Sequence, residues 1–136
     1  MPRKDDYHDA VKQALLKDGW SIDNEQVAFI GSERQVVIDL QASKDGHGII
    51  LVEVKGFQPS MVEALANAMG KILIYRYILN ELAQNIPIWL AVPEFAYHSI
   101  LTEHMGLALR QQLGMDLIVF SVEREEIVAW IAHEQF

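Results

Sequence analysis

Residues 49–55 read Ile-Ile-Leu-Val-Glu-Val-Lys, an apolar run into which two opposite charges are set two positions apart. A run this apolar belongs near the centre of a sheet, because unbroken aliphatic sequence leaves no face for water. On a strand Ile49, Leu51, Glu53 and Lys55 share one face, so a carboxylate and an ammonium enter the structure side by side. Charges on a central strand need partners or a function. As structure alone the motif is a Glu53–Lys55 pair at a strand end, half in solvent. As chemistry it is part of a site, and both readings stay open at this point.

The preceding strand supplies the third group. Gln35 to Ala42 is rich in Val and Ile with period-two alternation, which places Asp39 on the face of Val37, opposite Ile38 and Leu40. The intervening Lys44-Asp45-Gly46-His47-Gly48 contains a D-G turn, so a hairpin folds Asp39 back beside Glu53 and Lys55. Two carboxylates and an ammonium are the groups that metal-assisted phosphodiester hydrolysis requires. Oxygen ligands hold a hard cation with positions left open for water and phosphate, and a further cation stabilises the developing charge.

The rest of the chain surrounds this hairpin. Asp5 or Asp6 to Asp18 is an amphipathic helix ended by Gly19; Gln26 to Ile30 is a first strand, and Gly31-Ser32 a turn. Ser60-Met61-Val62-Glu63 has the form of a capping box and opens a helix to about Glu81 or Gln84. That helix is apolar on nearly every side, which predicts burial in the core or under a partner. Ile86 to Val92 is a strand ended by Pro93, Ala96 to Gln112 an amphipathic helix closed by Gly114, and Asp116 to Val122 a strand; Ile127 to Ile131 is a sixth strand or a last helical turn or two, with the strand favoured. The fold class is α/β with a mixed (α+β) sheet: helix, three-strand meander, helix, strand, helix, strand. At 136 residues this is expected to be one domain, 1–136.

Bulk properties exclude several classes. The absence of Cys removes disulfides, thiolate zinc sites and a cysteine nucleophile, so any metal must use oxygen or imidazole. No stretch of about 18 apolar residues occurs and the N-terminus lacks a signal-type apolar core, so a cytoplasmic location without membrane association is expected. Ser21, Ser32 and Ser99 lack a nucleophile-elbow context. The net charge of −8 runs against an autonomous nucleic-acid binder, because phosphate neutralisation supplies most non-specific affinity.

The pattern of Asp39 in Val-Val-Ile-Asp-Leu followed by Glu53-Val54-Lys55 in Leu-Val-Glu-Val-Lys-Gly-Phe resembles the PD-(D/E)xK nuclease superfamily. More specifically, the chain resembles the XisH family, the fdxN element excision controlling factor of cyanobacteria. The resemblance is carried by Lys4-Asp5, Tyr7-His8, Val11-Lys12, Ala14-Leu15, Lys17-Asp18-Gly19-Trp20, Ile38-Asp39-Leu40, Glu53-Val54-Lys55, Tyr75-Arg76, Leu90-Ala91-Val92-Pro93, Glu125-Glu126-Ile127-Val128 and Trp130-Ile131. It implies a restriction-endonuclease-like core, with Asp39 and Glu53 as Mg²⁺ (or Mn²⁺) ligands and Lys55 assisting the attacking water. It also implies a role in excising a DNA element during heterocyst development, acting with a second small protein, XisI, in a homo- or hetero-oligomer. Two positions depart from the pattern. Ile38 stands where the superfamily has Pro, and Lys71 stands where many relatives carry Gln, four residues before Tyr75 on one helix face. Lys71 and Tyr75 are the expected supporting residues.

His8 is a further candidate metal ligand, by analogy with nucleases of this superfamily that use a His upstream of the Asp. His98 and His104 are six apart and form no H-E-x-x-H, while His47 and His133 are expected in solvent. Trp20, Trp89, Trp130, Tyr75, Tyr77 and Tyr97 sit inside apolar patterns and are expected to pack rather than stack on bases. Two functions remain: a Mg²⁺-dependent DNA endonuclease, or a catalytically silent nuclease-fold subunit that binds an XisI-like protein in support of site-specific recombination.

Overall fold

The apolar run does lie at the middle of a sheet. The computed structural model describes residues 3–133. They form, in order, α1 (Lys4–Lys17), β1 (Ser21–Ile30), β2 (Gln35–Lys44), β3 (Gly48–Val54), α2 (Met61–Glu81), β4 (Ile88–Pro93), α3 (Glu94–Tyr97), α4 (His104–Leu113), β5 (Asp116–Ser121) and β6 (Glu126–Ile131). The six strands lie side by side in sequence order. β1–β2, β2–β3 and β5–β6 are antiparallel, and β3–β4 and β4–β5 are parallel, each joined through a helical crossover. The sheet is therefore mixed, as the sequence predicts.

Successive residues of the central strands enter opposite layers. Val52, Ala91, Ile118 and Phe120 pack with Tyr7, Val11 and Leu15 of α1. Leu90, Val92, Leu117 and Val119 pack with Leu65 and Ala68 of α2 and with Ile100 and Leu101, while Leu51 and Ile38 meet Ile72, Tyr75 and Leu79. Both sheet faces are thus covered, which is why β3, β4 and β5 carry no alternating polar residues. Trp20, Trp89 and Trp130 form one aromatic group, with ring centroids 5.4 Å apart for Trp20–Trp130 and 5.1 Å for Trp89–Trp130.

Helix α2 begins as expected, the Ser60 hydroxyl accepting from the Glu63 N–H at 3.3 Å. Its apolar surface is only partly buried: Val62, Leu73, Ile74 and Tyr77 are exposed, so Tyr77 does not share the core position of Tyr75. No helix among the described residues is long and apolar enough to cross a membrane.

Three boundaries differ most from expectation, and β3 ends at Val54, one residue short of Lys55. β1 starts at Ser21 rather than Gln26, because pairing with β2 carries polar residues that have no strand signal of their own. β4 starts at Ile88 rather than Ile86, after Pro87. The helix expected over residues 96–112 is broken into α3 and α4. The break is set by packing. Ile100 and Leu101 turn into the core, and Arg110 donates to the Leu101 carbonyl at 2.8 Å. The chain at Ile100 passes so close to Gly106 that a Cβ there would lie 1.8 Å from the Ile100 oxygen. His133 also departs from expectation: it is half-buried, with Nδ1 2.7 Å from Asp116 Oδ1.

Candidate active site

β2 and β3 pair from Lys44↔Gly48 to Leu40↔Val52 and then separate. Beyond that point Val54 N–H has no carbonyl from β2 and donates to Asp39 Oδ2 at 2.8 Å. The Asp39 N–H donates in turn to Glu53 Oε1 at 3.3 Å. Two carboxylates thus replace the missing rungs of the ladder, satisfying backbone groups that would otherwise be stranded. On the far side of β2, Gln26 of β1 sits in the left-handed region at φ 51, and Ile38 and Leu40 enter different core layers. The simple alternation expected around Asp39 is therefore interrupted at the residue that turns toward β3.

Helix α2 supplies the other wall. Asn67, Lys71 and Tyr75 recur every fourth residue and so form one row along the helix. Lys55 Nζ donates to Asn67 Oδ1 at 2.7 Å. Lys71 Nζ donates to Glu53 Oε2 at 3.1 Å. The Tyr75 hydroxyl lies 3.1 Å from the same oxygen and 3.3 Å from the Val37 carbonyl, donating to one or the other. The structure brings Asp39, Glu53, Lys55, Lys71 and Tyr75 together; Asn67 and the loop residue Gln58 had not been singled out from the sequence. The spacing of four before Lys71 was the available signal for Asn67. Gln58 accepts from the Tyr7 hydroxyl at 3.1 Å. Tyr7 reaches this position because residue 56 is Gly, where a Cβ would lie 2.6 Å from its ring.

Asp39, Glu53, Lys55 and Lys71 line a cavity of about 560 Å³ whose walls include Lys4, Asp5, Tyr7, His8, Gln26 and Gln58, while Asn67 and Tyr75 stand behind them. Glu53 is buried, at 3% exposure. Desolvation, then the neighbouring Asp39 charge, raises its pKa above the usual carboxylate range, against the opposing influence of Lys71. The Tyr75 hydroxyl is raised by burial and by Glu53. The Lys55 ammonium is lowered by desolvation and by the nearby Lys71 charge.

Asp39 and Glu53 suit a hard divalent cation: both are oxygen donors, they adjoin, and a buried carboxylate raised by its neighbour's charge gains from one. Among the described residues no group of three or more His, Cys, Asp or Glu side chains is placed to hold a metal ion. A Mg²⁺ site commonly has one or two carboxylates, completed by water and substrate phosphate. His8 lines the cavity, but its Nε2 lies 3.0 Å from Glu25 Oε1. Lys12 holds the other Glu25 oxygen at 3.0 Å. The imidazole is thus engaged by β1 rather than by the carboxylate pair.

A family model described as XisH protein matches residues 1–128. The chain is similar to a crystal structure of an fdxN element excision controlling factor protein from Anabaena variabilis: 29% identity, 94% of this chain and 99% of that chain covered, TM-score 0.87. It is also similar to a crystal structure of an XisH family protein from Nostoc punctiforme: 28% identity, 93% and 98% covered, TM-score 0.86. No curated protein matches at a significant level.

Proposed function

The chain belongs to the XisH family, and from that premise we propose that it takes part in excising a DNA element, acting on a DNA phosphodiester in the Asp39–Glu53 cavity as a PD-(D/E)xK-type endonuclease in the cytoplasm. The observation that carries this reading is the parting of β2 and β3. It leaves two carboxylates and the ammonium of Lys55 converging on a cavity open to a ligand, where a merely structural strand pair would close.

Asp39 and Glu53 would hold a Mg²⁺ or Mn²⁺ ion, which when bound supplies Lewis-acid stabilisation of phosphate charge and a more acidic water. The chain's own groups do the rest. Asn67 orients the Lys55 ammonium at the cavity wall, where it faces phosphate oxygen or the attacking water. Tyr75 and the Asp39 N–H hold the Glu53 carboxylate in one orientation. Lys4 and Asp5 also line the cavity and offset each other in charge. A plasmid-cleavage assay with Mg²⁺ or with chelator tests the reading. Wild type should cut only with metal and Asp39→Asn should not; cutting by the Asn variant at the wild-type rate would end it.

A second reading is favoured by a separate observation. Val62, Leu73, Ile74 and Tyr77 expose apolar surface on α2, and a net charge of −8 opposes unaided DNA binding. On this reading the chain is a catalytically silent subunit that uses its fold to bind an XisI-like protein. Its expected signature is a stable complex of summed mass by light scattering, together with no cleavage under any metal.

A further inference from the structure

Glu53 Oε2 already has a cation on it. We infer that Lys71 is a tethered stand-in for the divalent metal, which must leave Glu53 when metal enters and then becomes a phosphate contact, so that metal and DNA binding are coupled. The inference rests on the metal-dependent reading of the cavity and adds its regulation.

Four observations carry it. First, charge: Asp39 and Glu53 contribute two negative charges, and Lys55 and Lys71 two positive ones, so the group is neutral before any metal binds. Second, position: the Lys71 ammonium reaches Oε2, while Oε1 is taken by the Asp39 N–H. Each oxygen keeps a second lone pair, but the two are so close that an ion on either one meets the Lys71 charge. Third, mobility is one-sided. The Glu53 side chain is 4% exposed and held by Tyr75 and the Asp39 N–H, whereas the Lys71 side chain is 39% exposed and its ammonium makes a single hydrogen bond. When the pair breaks, the partner that moves into water is Lys71. Fourth, chemistry: an ammonium on a flexible stem is a compact charge without the two-pronged grip of a guanidinium, so it exchanges partners readily.

A lysine and a divalent ion on one carboxylate repel each other strongly. Metal entry therefore displaces Lys71, which remains in the wall of the same cavity beside Lys55 and Lys4. There three lysines line the cavity, with the Asp5 carboxylate next to Lys4. Linkage requires the converse: a phosphate that draws Lys71 off Glu53 must raise metal affinity by the same factor.

Mn²⁺ binding by titration calorimetry, with and without a short phosphorothioate duplex that resists cleavage, tests this in wild type, Lys71→Gln and Lys71→Met. Without DNA, both variants should bind Mn²⁺ on the order of tenfold more tightly than wild type, a factor typical of coupled sites. DNA should tighten Mn²⁺ binding in wild type and do so much less in the variants. Variants that bind Mn²⁺ no better than wild type, or that keep the full DNA effect, overturn the inference and leave the metal reading standing. Failure of all three proteins to bind Mn²⁺ removes both. The rise in unfolding temperature with Mn²⁺ is a second readout, and it should be larger in both variants than in wild type.

Discussion

Replacing Asp39 separates what its carboxylate does for the fold from what it does for the site. Its Oδ2 is the acceptor for Val54 N–H at the point where the β2–β3 ladder has ended. Asp39→Ala leaves that half-buried donor without a partner, at a cost of about 1–3 kcal/mol. Part is returned, because the Asp39 charge is one of the influences that raise the Glu53 pKa, and the repulsion goes with it. The net expectation is a loss of about 1–2 kcal/mol, or roughly 3–8 °C in melting temperature for a chain of this length. Asp39→Asn keeps an acceptor oxygen and removes the same repulsion, so its stability should stay within about 0.5 kcal/mol of wild type or exceed it. Urea denaturation in chelator measures both variants. Mn²⁺-dependent stabilisation, measured alongside, should be lost in both. If Ala and Asn prove equally stable, the carboxylate is not what satisfies Val54, and the account of how the strands are held apart is wrong.

Gly106→Ala should cost about 3 kcal/mol or more, because the new Cβ meets main-chain atoms at Ile100 that cannot rotate away; thermal unfolding checks the loss, and hydrogen exchange should place it over residues 100–110. Glu53→Gln should change the pH dependence of stability. Glu53 has a folded pKa above its usual 4.5, so wild type carries no penalty below the unfolded pKa and an increasing one as pH rises through the folded value. Denaturation of both proteins in chelator from pH 4 to 8 should therefore show the difference moving in favour of Gln as pH rises, then levelling; the opposite slope would contradict the burial argument.

Much of the site could be read because its residues are close in sequence or carried by short periodicities. Glu53 and Lys55 are two apart on a strand, Asp39 lies across a short hairpin, and Lys71 and Tyr75 are four apart on a helix whose Ser60 cap announces its start. Asn67 extends the same row and was legible by the same rule, but an Asn on a helix carries no chemical signal until a lysine is seen to reach it. The long helix expected over residues 96–112 failed for the opposite reason: its amphipathic pattern is real, but the approach of Ile100 to Gly106 is a contact that the pattern does not contain.

From residue order alone came most of the elements, the mixed sheet, and the placing of Glu53 and Lys55 two apart at the end of an apolar strand. Those properties follow from backbone periods of two and 3.6, which are local. Tertiary structure alone decided that β2 and β3 part after Leu40↔Val52, that carboxylates take over the lost rungs, that His8 turns to Glu25, and that Lys71 rests on Glu53. Each is a choice among partners distant in the chain, made by burial and charge once the layers have closed.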